Sequence, residues 1–168
     1  MTLVVCPAAS LSEICRLRQP SHLIRMRSPD SGCEVPQPGM GVANRLDLAF
    51  HDIAVPQPGL VAPDAGAIAA ILHFAAAWDG ARPLVVSCFA GVSRSPAAAF
   101  ILACARAPGE PEREIALRLR HVAPIATPNA GMVALADDAL GREGRMIAAI
   151  AAIGRGADYT PYRSFDFL

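Results

Sequence analysis

Lysine is absent from this chain of 168 residues: all 15 basic side chains are arginine, and 15 acidic residues bring the formal net charge to zero. A neutral chain lacks the basic excess of a nucleic-acid scaffold, so no nucleic-acid partner is expected. The all-arginine usage goes with heavy Ala, Gly and Pro content and reads as coding bias in a GC-rich genome rather than phosphate affinity spread over the surface. The five cysteines, Cys6, Cys15, Cys33, Cys88 and Cys104, form no close pair and no Cys-x-x-Cys spacing. That argues against a zinc site and a disulfide framework and fits a reducing compartment. A protective Cys88–Cys104 disulfide stays as a minor alternative. Long apolar runs are missing too. The longest, Ala65 to Trp78, contains His73 and is too short to cross a bilayer. The start, Met1-Thr2-Leu3-Val4-Val5-Cys6, has neither the basic region nor the length of a signal peptide. The expectation is a cytoplasmic chain with no membrane partner.

What is present suffices for one ordinary core. Hydrophobic residues make up 53% of the chain, which fits a single globular domain over 1–168. Strands and helices alternate along the chain. Strands are expected at Thr2 to Cys6, Ser21 to Met26, Arg45 to Phe50 and Leu84 to Val86. The third alternates Leu46, Leu48 and Phe50 against Arg45, Asp47 and Ala49, and the fourth is continuously apolar. Helices are expected at Ser10 to Leu17, from an Asp64 cap to about Trp78, and at Ser95 to Arg106, Pro111 to His121, Asn129 to Leu140 and Gly144 to Ile153. Residues 28–44 and 53–63 are rich in Pro and Gly and read as loops. The tail 154–168 carries Tyr159, Tyr162, Phe165 and Phe167 and reads as a segment that docks on the body or on a second copy. Strands alternating with helices give an α/β fold with a mostly parallel central sheet flanked by helices. In such sheets ligands sit at the carboxyl ends of the strands.

The segment Val85-Val86-Ser87-Cys88-Phe89-Ala90-Gly91-Val92-Ser93-Arg94-Ser95 is the most informative one. A buried strand runs into a tight loop and then an Ala-rich helix. Such a turn aims backbone N–H groups at one spot, where the helix dipole also favours negative charge. A thiol at Cys88 ionises more easily there, and an oxyanion finds backbone donors plus a two-pronged guanidinium from Arg94. Five intervening residues, Phe89, Ala90, Gly91, Val92 and Ser93, let the loop curl round an anion and bring Arg94 back to face the thiol. Gly91 supplies a positive φ in mid-loop. Ser95, in the first helical turn, can direct its hydroxyl at the sulfur. One loop thus holds a nucleophile and a phosphate cradle. Upstream, three carboxylates lie within range to serve as an acid: Asp47, Asp52 and Asp64. Asp47 lies inside a strand and Asp64 is explained as a helix cap, whereas Asp52 opens a Pro-rich loop.

This loop, with Ala-Gly-Val-Ser-Arg-Ser after the cysteine, resembles the signature of the protein tyrosine phosphatase superfamily, His-Cys-x5-Arg-[Ser/Thr], and most of all its small dual-specificity-type branch. Pro128-Asn129-Ala130-Gly131-Met132 resembles the Pro-Asn helix start that follows the signature there. Leu46-Asp47-Leu48-Ala49-Phe50-His51-Asp52-Ile53 resembles the strand leading to the general-acid loop. The likeness covers roughly residues 43–142, with a weaker match over the first 40, and the wording is closest to small bacterial tyrosine phosphatase-like proteins. It implies a cysteine phosphatase fold, a phosphocysteine intermediate on Cys88, general-acid duty for Asp52 and a loop-bracing role for Asn129. It implies no cofactor and no metal. One departure matters: Ser87 stands where the family has His. Ser carries no charge but can still donate a hydrogen bond, so a less acidic thiol and weaker catalysis are expected.

The leading expectation is a phosphomonoester hydrolase acting on a phosphorylated protein, with inorganic phosphate as product. A small-metabolite phosphatase, for an inositol phosphate or nucleotide, would want several basic residues, and 89–93 adds none. A sulfurtransferase ranks low. A phosphate-binding pseudophosphatase is the non-enzyme alternative, motivated by Ser87. His51 reads as a solvent-facing strand-end residue, and Arg118 and Arg120 as a solvated helix face.

Overall fold

The computed structural model describes residues 1–31 and 41–168; Cys33 and the middle of the 28–44 loop lie outside them. Among the described residues five strands form one sheet: β1 (Leu3–Pro7), β2 (His22–Arg27), β3 (Asn44–Ala49), β4 (Leu84–Cys88) and β5 (Phe165–Asp166), in the order β3-β2-β4-β1-β5. The first four run parallel. The short β5 returns antiparallel along β1, with Val5 opposite Phe165. Six α-helices among the described residues accompany them: α1 (Leu11–Arg18), α2 (Ala65–Ala76), α3 (Arg94–Arg106), α4 (Glu112–Val122), α5 (Ala130–Ala139) and α6 (Arg145–Ile153).

Period-two geometry sends alternate strand residues to opposite faces. Leu3, Val5, Ile24, Met26, Leu84, Val86 and Cys88 enter a large core with apolar residues of α2 to α6. Val4, Cys6, Leu23 and Val85 enter a smaller one, covered by Leu11, Ile14 and Cys15 of α1 together with Val42. β4 sits in mid-sheet and every residue of it is buried, which is why its sequence is continuously apolar up to Ser87. α3 is the central helix of the large layer: all residues from Arg94 to Cys104 are buried. Asp64 accepts from the Ala67 N–H at 2.7 Å, the expected cap of α2. Among the described residues no helix is long and apolar enough to cross a membrane.

One minor alternative drops out and two sequence expectations change. Cys88 packs against Ser95 in the first turn of α3, and Cys104 lies nine residues further along that helix, about 13.5 Å at 1.5 Å per residue. A disulfide tolerates no more than roughly 7 Å between Cα atoms, so that pairing is excluded. Arg120 is no solvated side chain: it donates to the carbonyls of Pro124, Ala126, Ile153 and Gly154 and ties the α4–α5 connection to the end of α6. Arg118 pairs with Glu110 at 2.5 Å and lies 5.7 Å from the Phe167 ring centre, bracing the docked tail.

Candidate active site

The carboxyl end of β4 feeds the loop Phe89–Ser93 and then α3. Gly91 has φ +73°, a value that L side chains seldom adopt. The loop's carbonyls turn outward into hydrogen bonds: Phe89 O accepts from Ala8 N at 3.1 Å, Val92 O from Thr127 N at 2.8 Å, and Ser93 O from Ala97 N at 3.0 Å and Asn129 N at 3.3 Å. Gly91 O accepts from the Tyr162 hydroxyl at 2.6 Å. None of the N–H groups from Ala90 to Ser93 donates to a backbone carbonyl among the described residues. They stay free for an anion, because a planar trans peptide puts N–H opposite C=O.

Cys88 is buried to 3% exposure at the floor of a cleft of about 580 Å³. Ser95 Oγ lies 3.1 Å from its Sγ. Arg94, also 3% exposed, donates through Nη1 to Phe50 O at 2.7 Å and more weakly to Ser28 Oγ at 3.4 Å. Its Nε is buried without a hydrogen-bond partner. An orphaned buried donor on a charged group is costly. Here the Nε edge is the one that forks onto two oxygens of an anion. Anchored at Nη1 and unsatisfied at Nε, the guanidinium is set to receive one.

Asp52 reaches the cleft from the loop after β3. Its Oδ1 accepts from Ser93 Oγ at 2.7 Å and from Asn129 Nδ2 at 2.8 Å, while Oδ2 lies 3.8 Å from Arg94 Nε. Asn129 does two jobs at once: its Oδ1 caps α5 through Met132 N at 3.0 Å. Two residues on, a Cβ at Gly131 would meet the Ala54 carbonyl at 2.6 Å, so only glycine lets α5 pack this closely on the Asp52 loop. The other carboxylates stay away from the cleft. Asp47 pairs with Arg25 at 2.5 Å, and Asp64 is the α2 cap.

His51 does not face solvent freely. Its Nδ1 accepts from Val61 N–H at 2.9 Å, so Nε2 carries the hydrogen and donates to Asp30 at 2.9 Å. It pins the two ends of the Asp52 loop together. Ser87 also departs from expectation. Its Oγ is fully buried without a partner of hydrogen-bond geometry, so it donates nothing to the loop. Burial pushes the Cys6 thiol up to about 12, and its contact with Ser87 works in the opposite direction. Burial likewise pushes Cys104 up to about 12. Cys6 and Cys88 lie on opposite faces of the sheet.

Sequence reasoning missed the far wall of the cleft: Arg25, Arg27 and Ser28, from β2 and the turn beyond it. It also missed the bond from Tyr162 to the Gly91 carbonyl and the hold of Ser93 on Asp52. No local pattern marks contacts that span 41 to 71 residues. Among the described residues no cluster of His, Cys, Asp and Glu is arranged to hold a metal.

No family model matches the chain, and no curated protein matches it in sequence. Solved structures do match in shape. The human tyrosine phosphatase-like serine/threonine/tyrosine-interacting protein superposes with a TM-score of 0.65 at 18% identity, covering 84% of this chain and 92% of that one. DUSP15 gives 0.59 at 18% identity, over 90% and 89%. The Yvh1 phosphatase domain from Chaetomium thermophilum gives 0.58 at 17% identity, over 86% and 93%. With so little sequence in common, what is shared is architecture: a parallel sheet flanked by helices, which is the fold of the dual-specificity and tyrosine phosphatases.

Proposed function

We propose that this chain is a cysteine-dependent phosphatase that hydrolyses phosphomonoesters through a phosphocysteine on Cys88. The observation that carries the reading is the buried Arg94 Nε, which has no hydrogen-bond partner, beside a thiol ringed by free backbone N–H groups. In the first step Cys88 Sγ attacks phosphorus. The S–P bond forms, the ester P–O bond breaks, and the leaving oxygen takes a proton from Asp52. Oδ1 of Asp52 is held by Ser93 and Asn129, which leaves Oδ2 toward the cleft to carry that proton. In the second step water attacks phosphorus, Asp52 takes its proton, the S–P bond breaks and inorganic phosphate leaves. The departing thiolate accepts from the Ser95 hydroxyl. The N–H groups of the loop and the Arg94 fork hold the equatorial oxygens throughout.

A phosphotyrosine-like substrate suits the rim. Phe89, 78% exposed beside the nucleophile, offers a face for a phenyl ring. A second reading, a small metabolite with more than one phosphate, draws support from Arg27, which lines the same cleft and has no ion-pair partner among the described residues. Hydrolysis of para-nitrophenyl phosphate in EDTA and reductant, wild type beside Cys88→Ser, tests the reaction. Comparing kcat/KM for a phosphotyrosine peptide with that for an inositol polyphosphate then separates the substrates. Anion binding without turnover would favour the pseudophosphatase reading.

A further inference from the structure

The loop's shape depends on how its carbonyls are held. Phe89 O, Val92 O and Ser93 O are bonded by backbone N–H groups of neighbouring segments, whereas Gly91 O is held by a side chain, the Tyr162 hydroxyl 71 residues away. The peptide that carries the Gly91 carbonyl also carries the Val92 N–H, which points the opposite way. We propose that Tyr162 is a positioning residue for the phosphate cradle: by holding the Gly91 carbonyl outward, its hydroxyl aims the Val92 N–H at the bound anion. The inference rests on the phosphate-cradle reading above.

Anchoring of the tail does not require this bond. The tail is already fixed by β5 on β1, by the Phe167 N–H on Leu3 O and the Leu3 N–H on Leu168 O, and by buried Phe167. The Arg18 fork on Asp166 and the Gly156 N–H on Thr127 Oγ1 add to it. Thr127 in turn holds Val92 O, so two adjacent carbonyls of the loop are tied to the tail. The fit at Gly91 is tight: a Cβ there would lie 2.1 Å from the Tyr162 oxygen and 3.0 Å from Pro7 N. Burial raises the Tyr162 pKa above the usual tyrosine range, and the nearby Cys88 and Cys6 add to it. The phenol therefore keeps its hydrogen and its donor role at any pH the enzyme meets.

Tyr162→Phe removes the hydroxyl and keeps the ring. Orthovanadate binding is measured by titration calorimetry, with thermal unfolding to confirm that each chain is folded. Vanadate affinity is expected to fall about fivefold to tenfold, the worth of one hydrogen bond, while Tyr159→Phe, an exposed ring of the same tail, leaves it unchanged. A Tyr162→Phe chain that is less stable but binds vanadate as wild type does would make the bond a tail anchor only and overturn the inference. Because the readout is binding, a wild type that binds vanadate without turnover refutes catalysis and leaves the test intact. A wild type that binds no vanadate overturns the cradle and this inference together.

Discussion

Arg94→Met separates what the guanidinium does for the fold from what it does for an anion. Methionine keeps an unbranched side chain in the buried space but removes the charge and every donor. In the unliganded chain the substitution loses the 2.7 Å bond to Phe50 O, worth about 1–3 kcal/mol if that carbonyl is left unsatisfied. It also removes a buried charge whose Nε has no hydrogen bond and only the 3.8 Å approach of the part-exposed Asp52 carboxylate, and whose desolvation costs several kcal/mol. The two oppose each other, so stability without ligand should stay within about 2 kcal/mol of wild type. With phosphate the chains diverge. Two charge-assisted bonds at about 1.5–3 kcal/mol each are lost, and affinity should fall at least about 100-fold. At a phosphate concentration of about 100 times its Kd, the wild type gains about 2.7 kcal/mol, or roughly 5–11 °C in Tm for a chain of this size. Differential scanning calorimetry with and without phosphate reads both effects. An Arg94→Met chain whose Tm rises with phosphate as the wild type's does would refute the assignment of the anion to the Nε edge.

Asp52→Asn keeps the acceptor oxygen for Ser93 and Asn129 and loses the transferable proton, together with the charge that faces Arg94 Nε at 3.8 Å. Hydrolysis of phenyl phosphate, a poor leaving group, should slow by about 100-fold or more, and that of para-nitrophenyl phosphate by less than about tenfold; equal losses would count against Asp52 as the acid. Gly131→Ala puts a methyl against the Ala54 backbone and should push the Asp52 loop aside. Steady-state kinetics should show kcat about 10- to 100-fold lower with vanadate inhibition unchanged, and an unchanged kcat would mean that the loop's position is not critical. Ser87→Ala removes a buried hydroxyl that touches the Cys6 thiol without a hydrogen bond of good geometry and should raise stability by about 1 kcal/mol in urea unfolding; a loss of that size would mean the hydroxyl is bonded in solution.

The parts that were legible in the sequence are contiguous ones. The strand, loop and helix from Leu84 to Arg106 follow one another without a break, and their composition alone places Cys88, Gly91, Arg94 and Ser95 together. Asp64 announces α2 because a cap bonds three residues ahead. Contacts across the chain left no such mark. Arg120 lies on the polar face of α4 by periodicity, yet its long side chain folds back onto four carbonyls. His51 looks like a strand-end residue until the ends of its loop are seen to meet on its ring. β5 is two residues long, too short for alternation to show, and its pairing depends on an edge that β1 exposes only once the sheet is built. Arg25 and Arg27 reach the cleft because β2 lies beside β4, an order fixed by a crossover and not by adjacency in the chain.

The central claim is a covalent phosphoenzyme on Cys88, and trapping it is the most direct test. Wild type mixed with a phosphomonoester is quenched in acid within one turnover, digested and read by mass spectrometry, with Cys88→Ser alongside. The account predicts a phosphate adduct on the peptide carrying Cys88 in the wild type and none in the variant. Steady turnover with no adduct at Cys88, or turnover that survives in Cys88→Ser, would contradict it.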